Sequence, residues 1–240
     1  MSVDTNCGSE RLDRNEEDIK GMVEKMVEQK EQQSVRIPAG SIQLEGLLGI
    51  PENSKSIVIF AHGSGSGRFS SRNNFVARVL RQANLSTLLF DLLTEVEDRD
   101  YENRFDIPLL GKRLVDATKW ILDRHDTKSF KIGYFGASTG AAAALIASTL
   151  LPSESISAIV SRGGRPDMAM KHLKKVSAPT LLIVGGNDEE VIELNRIAFD
   201  ELDCEKRLEI VPGATHLFEE PGTLEQVSRL ASEWFVKFLK

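Results

Sequence analysis

Phe130-Lys-Ile-Gly-Tyr-Phe-Gly136-Ala-Ser138-Thr-Gly140-Ala-Ala-Ala-Ala-Leu-Ile-Ala147 decides the fold of this chain. Residues 130–135 are a short apolar run with the character of a buried strand. Residues 141–147 are strong helix formers. Between them stands Gly-x-Ser-x-Gly, on a strand-to-helix turn. A turn that sharp leaves no room for bulky neighbours and pushes the serine hydroxyl out at the end of a sheet. Ser138 is therefore the candidate nucleophile.

A serine in that position needs a base, and the base needs a group to orient it. In this kind of turn the acid and then the histidine follow the serine along the chain. Thr180-Leu-Leu-Ile-Val184 reads as a buried strand, followed by Gly185-Gly-Asn-Asp188. Lys206-Arg-Leu-Glu-Ile-Val211 reads as another, followed by Pro212-Gly-Ala-Thr-His216. Of the four histidines, only His216 lies in a post-strand loop downstream of both the serine and the acid. A loop histidine on its own is usually a surface residue; this one completes an ordered series. Asp188 is preferred over Glu189 and Glu190 because it comes first after its strand. The two glutamates suit the first turn of a following helix, where negative charge meets the positive end of the dipole.

Upstream, Ser56-Ile-Val-Ile-Phe60 reads as a strand and leads into Ala61-His-Gly-Ser-Gly-Ser-Gly67. A tetrahedral intermediate needs N–H donors aimed at its oxyanion. The backbone amides of Thr139, next to the nucleophile, and of Ser64, in this loop, are the candidates. A phosphate-cradling reading of the loop lacks the Gly-Lys-Ser/Thr ending and the dinucleotide fingerprint. His62 precedes the serine, the wrong order for a base, and is expected to bond its own loop.

With these residues the chain resembles an α/β-hydrolase of the dienelactone-hydrolase-like group. His62-Gly-Ser-Gly-Ser-Gly-Arg68, Gly136-Ala-Ser-Thr-Gly140, Ser161-Arg-Gly-Gly-Arg-Pro-Asp167 and Gly186-Asn-Asp188 carry the resemblance. It covers residues 35–240. The first two motifs are widespread among α/β-hydrolases, and the Arg-Gly-Gly-Arg-Pro-Asp stretch is particular to one branch. The namesake enzymes place a cysteine where Ser138 stands, and a hydroxyl differs from a thiol in acidity and as a leaving group. The resemblance implies a serine hydrolase acting on a small acyl ester, lactone or thioester, with no metal or organic cofactor. The alternative is a non-catalytic ligand-binding or signalling protein on the same fold. Haloalkane or epoxide hydrolysis would want a carboxylate in place of Ser138.

Arginines cluster where the loops of a parallel sheet form a site. Arg68 follows the glycine-rich loop, and Arg162 and Arg165 follow the strand ending at Val160. Facing the serine, they would receive a carboxylate or phosphate on the substrate. Paired with acids such as Asp167, they would only fix their loops. The namesake family's use of arginines for a carboxylated substrate adds to the first reading.

The apolar strands alternate with helical segments from Val35 onward, which predicts a mostly parallel, doubly wound sheet with helices on both faces. Helices are expected at 72–83, 108–122, 139–150, 166–175, 190–200 and 224–239. Ser41–Ile50 is expected to pair as a hairpin with Val35–Ile37. The short stretch between the strands at Ile156 and Thr180 leaves no room for a large lid domain. Glu95–Asp106 is a long charged segment, either a solvated loop or a flap over the pocket.

The 240 residues suit one domain, here 35–240, plus a polar N-terminal extension, 1–34. Within that extension, Ile19, Met22, Val23, Met26 and Val27 fall on one face of a helix over 16–33. The stripe would pack on the domain edge or on a second copy in a homodimer. Net charge is −6 at pH 7, which argues against nucleic-acid partners. No apolar run has the length of a membrane span. The first ten residues lack the features of a signal peptide. Cys7 and Cys204 make no disulfide framework, and a reducing cytoplasm is the expected setting.

Overall fold

The computed structural model describes residues 32–240. The helix expected over 16–33 and its apolar stripe lie almost wholly outside the described residues. Gln33 already belongs to the first strand, β1 (Gln33–Ala39). β1 turns into β2 (Ile42–Gly49) as an antiparallel hairpin. β2 lies antiparallel against β4 (Ser86–Phe90). The remaining strands, β3 (Ser56–Ala61), β5 (Lys131–Ala137), β6 (Ala158–Arg162), β7 (Thr180–Gly185) and β8 (Lys206–Val211), run parallel with β4. The eight strands are ordered β1-β2-β4-β3-β5-β6-β7-β8. This is the mostly parallel, doubly wound sheet expected from the sequence.

Strand residues alternate between two cores. Ile57, Ile59 and Ala61 of β3, with Ile132 and Tyr134 of β5, face one side. Val58 and Phe60 of β3, with Phe135 of β5, face the other. Both faces are therefore apolar, and β3, β4, β6 and β7 are buried along their whole length. Helices α1 (Ser71–Gln82) and α5 (Thr223–Leu239) pack together against the second face. Helices α2 (Ile107–Asp123), α3 (Thr139–Thr149) and α4 (Glu189–Glu201) cover the first. All but one residue of α3 is buried, so its alanines show no amphipathic period.

The expected helix after β6 is wound as consecutive 3-10 turns over Pro166–Lys175. A 3-10 helix rises about 2.0 Å per residue against about 1.5 Å for an α-helix, so a short connection spans a longer edge. Residues 163–179 hold this element and no lid. The 95–106 segment forms two 3-10 turns, Glu97–Arg99 and Tyr101–Phe105. Arg104 grips Asp98 through two side-chain bonds of 2.9 and 2.8 Å, and Glu97 meets the buried Arg113 at 2.6 Å. The segment is thus pinned at both its own centre and the body of the domain.

Strand order reverses between β3, which leads to β4 on one side, and β5 on the other. In such sheets ligands bind beyond the carboxyl ends of the strands at this reversal. Ser138 follows β5, and the glycine-rich loop follows β3.

Candidate active site

Ser138 takes φ 50° and ψ −122°, a strained conformation for a residue with a side chain. The neighbours explain how it is tolerated. A Cβ on Gly140 would collide with the carbonyl oxygen of Ala61, and one on Gly136 with Ala141, so both glycines of the motif are dictated by close backbone approach. The loop after β6 holds the serine from both sides. Ser138 N–H donates to Arg162 O at 3.2 Å, and Arg165 N–H donates to Ser138 O at 3.1 Å. The Arg-Gly-Gly-Arg stretch is in this respect a clamp on the turn.

His216 extends from the loop after β8, and Asp188 stands at the head of α4 just after β7. They meet through His216 Nδ1 and Asp188 Oδ2 at 2.6 Å. Glu189 and Glu190 are exposed in the first turn of α4. Ser138 and His216 line one cleft of about 220 Å³, together with Gly63, Ser64, Ser66, Ser70, Arg72, Ala137, Arg162 and Leu217. This volume is small beside the roughly 300–1,000 Å³ of sites for drug-sized ligands.

Ser64 N–H donates to Thr139 Oγ1 at 3.0 Å. Thr139 is the first residue of α3, and its own N–H has no acceptor within the helix. The two candidate oxyanion amides therefore lie beside each other at the turn. His62 anchors the loop that carries Ser64. Its Nε2 accepts from Leu92 N–H at 3.0 Å, so Nδ1 carries the proton donated to Gly63 O at 2.9 Å. Burial lowers its pKa and keeps the ring neutral.

The three arginines singled out in the sequence separate. Arg68 is paired with Asp91, which also accepts from Arg68 N–H at 2.7 Å. Arg165 is bound by Asp167 through two bonds of 2.8 Å. Arg162 alone lines the cleft, only 7% exposed. Among the described residues no carboxylate pairs with it. One Nη bonds Asn73 at 3.4 Å, the ring of Phe218 lies 5.9 Å away, and Nε has no partner. Burial first, and then the charge of Arg72, push its pKa down to about 10, which still leaves it charged at neutral pH.

Arg72 lines the same cleft, and sequence reading passed it over. A signal existed. Arg72 is the second residue of α1, where a cation opposes the helix dipole and an acid would be the ordinary choice. A residue that breaks a local rule is a candidate for function. Its outer side bonds Glu219 at 3.0 Å, and its Nε is buried without a partner.

Residues 54–232 match the family model described as an alpha/beta hydrolase domain. The chain belongs to the α/β-hydrolases. A crystal structure described as a dienelactone hydrolase from Anabaena variabilis is 53% identical, with a TM-score of 0.85 over 88% of this chain and 100% of that one. Est1E from Butyrivibrio proteoclasticus shares the α/β-hydrolase fold at 16% identity, TM-score 0.73, over 85% of this chain and 98% of that one. A Mycobacterium tuberculosis protein provisionally named a phosphoribosyl transferase is 55% identical over 207 residues, 86% of this chain and 46% of that protein. The chain thus spans about half the length of that relative. Among the described residues of this α/β-hydrolase, no helix is long and apolar enough to cross a membrane. Among the same residues, no group of three or more His, Cys, Asp or Glu is placed to hold a metal ion.

Proposed function

We propose that the chain is a serine hydrolase cleaving a small acyl ester, lactone or thioester, with a preference for substrates that carry an anionic group. The observation that carries this reading is the 2.6 Å His216–Asp188 bond opening onto the same cleft as the strained Ser138. With Nδ1 held by Asp188, the Nε2 of His216 is the nitrogen left to act as base. Ser138 Oγ attacks the carbonyl carbon as its proton passes to His216. Charge develops on the carbonyl oxygen, which the amides of Thr139 and Ser64 receive. For this the Ser64 N–H turns from the Thr139 hydroxyl to the oxyanion. The imidazolium, stabilised by Asp188, protonates the leaving group, and Ser138 is left acylated. Water then attacks the acyl carbon with His216 again taking the proton, which it returns to Ser138 Oγ as the acyl–Oγ bond breaks and the acid is released. The scheme draws on no metal or organic cofactor.

Kinship with the Anabaena dienelactone hydrolase over that protein's full length supports ester chemistry. The serine in place of the namesakes' cysteine argues for a different substrate. The anionic preference is drawn from Arg162 and Arg72, which put two positive charges on the cleft wall. The transferase name of the mycobacterial relative belongs to a protein of which this chain spans 46%.

A fluorophosphonate probe and a panel of p-nitrophenyl esters test the reading. The parent should be labelled and turn over short acyl esters, and Ser138→Ala should lose both while melting as the parent does. The expected fall in kcat is on the order of 10³-fold or more, with Asp188→Asn costing about 10²- to 10⁴-fold. Activity of Ser138→Ala within tenfold of the parent overturns the assignment. So does a parent that the probe leaves unlabelled and that turns over no ester.

A further inference from the structure

We propose that the anion this cleft accepts is a phosphate group, making the substrate a phosphorylated acyl ester or lactone; this rests on the hydrolase reading of the same site. The cleft that holds Ser138 and His216 is also lined by donors. It combines the guanidiniums of Arg162 and Arg72, the hydroxyls of Ser66 and Ser70, and the N-terminal end of the twelve-residue helix α1. Among the described residues no carboxylate lines the cleft, and the first turn of α1 contains no acid. Ser70 caps this helix and Arg72 is its second residue, so both stand where backbone N–H groups and the dipole already favour an anion.

Arg162 is the observation that makes this more than a helix terminus. It is more than nine-tenths buried and lines the cleft, and among the described residues its Nε has no partner and no acid neutralises it. A second guanidinium stands close enough to perturb it by repulsion. Among the described residues the only acid bonded to Arg72 is Glu219, on an exposed side chain. Two adjacent cations in a half-dry wall need an anion that can satisfy both.

A carboxylate presents two oxygens in one plane and one negative charge, which a single guanidinium neutralises in a bidentate pair. A phosphate monoester presents three terminal oxygens in a tetrahedral array and about 1.5 to 2 negative charges at neutral pH. It can face Arg162, Arg72 and a serine hydroxyl at once. Phosphate bound on this wall leaves the attached acyl group to reach Ser138 within a cleft of about 220 Å³.

Calorimetric titration of inorganic phosphate and of acetate at pH 8 and fixed ionic strength tests the idea. It is run on the parent and on Ser138→Ala, and paired with inhibition of p-nitrophenyl acetate turnover. Phosphate should bind both proteins and inhibit the parent competitively, with a constant at least tenfold below that of acetate. Arg162→Met and Arg72→Gln should each weaken phosphate binding about tenfold or more. Equal constants for phosphate and acetate, or unchanged phosphate binding in a folded Arg162→Met or Arg72→Gln, overturn the proposal. Ester turnover without phosphate binding rejects the phosphate site alone. Phosphate binding to a parent that turns over no ester rejects the hydrolase reading and, with it, the phosphorylated substrate.

Discussion

Arg162, the last residue of β6, and Arg165, in the loop that follows, stand three positions apart and serve opposite ends. Arg165 gives its guanidinium to Asp167 in a two-pronged pair and is partly open to water. Arg162 is buried, lines the cleft and has no acid among the described residues. The same division holds for the other two arginines around the site. Arg68 is spent on Asp91, whereas among the described residues Arg72 keeps an unpartnered buried Nε and only an exposed contact to Glu219. An uncompensated buried charge costs stability, so a folded chain keeps it for what it binds. A neutralised pair at the surface contributes little energy, and its use is to set a loop in place. On the proposed reading, the inner arginines are the recognition groups and the outer ones are loop fasteners.

The largest test of this contrast is Arg162→Met. We expect kcat/KM for anionic esters to fall about tenfold to a hundredfold, as for loss of a charge-assisted bond of roughly 1.5–3 kcal/mol. Neutral esters should be spared, and the melting temperature should rise as an unpaired buried charge is removed. Kinetics on matched anionic and neutral esters, with a thermal melt, checks both halves. A fall shared by both substrates would put Arg162 with the fasteners.

Asp91→Ala should strike from the other side. It frees Arg68 and takes away the acceptor of Arg68 N–H, at the end of the loop that carries Ser64. We expect kcat to drop about tenfold for anionic and neutral esters alike, with KM nearly constant, since an oxyanion donor loses its preset position. A drop confined to anionic substrates would move Arg68 into the recognition group.

His62 is a fastener of the same loop, and its behaviour with pH follows from its burial. Its folded pKa is depressed, so below the ordinary histidine value of about 6.5 the unfolded chain takes up a proton that the folded one refuses. Stability is full above that pH. It is lost as pH falls toward the folded pKa, with Asp91 and Asp98 opposing the shift. Melting curves from pH 7.5 to 5 should show this decline, and His62→Gln should flatten it. An unchanged slope in the variant would place the titration elsewhere.

Asp167→Asn should do least. The pair it breaks is partly solvated and contributes at most about 1 kcal/mol, or less than about 4 °C in a domain of this size. The clamp on Ser138 uses backbone groups of the loop, so anionic preference should stay as in the parent. A changed preference on matched substrates would mean that Arg165 reaches the cleft once released.

What sequence could and could not disclose follows the range of the interactions involved. The Ser138 turn, the strand-then-loop settings of Asp188 and His216, and the parallel sheet are written in contiguous residues. The Arg165–Asp167 pair spans two positions and was legible as an alternative. Arg68–Asp91 spans twenty-three positions and exists only because β3 and β4 end side by side. Arg72 was missed because its role depends on how α1 docks beside the end of β6, which no periodicity records. The 3-10 winding of Pro166–Lys175 is set by the span it must cover, and a helical pattern alone does not distinguish it from an α-helix.

The clamp on Ser138 also has a consequence in time. Because the serine's N–H and C=O are both bonded to the Arg162–Arg165 loop, the strained turn and the loop open together or not at all. The amides of Ser138 and Arg165 should then exchange with deuterated solvent at a shared rate, set by one local opening event rather than two. A ligand seated on Arg162 belongs to the closed form only, and would slow both amides in proportion to its occupancy. The exchange clock at the nucleophile would thereby register a molecule that never touches it.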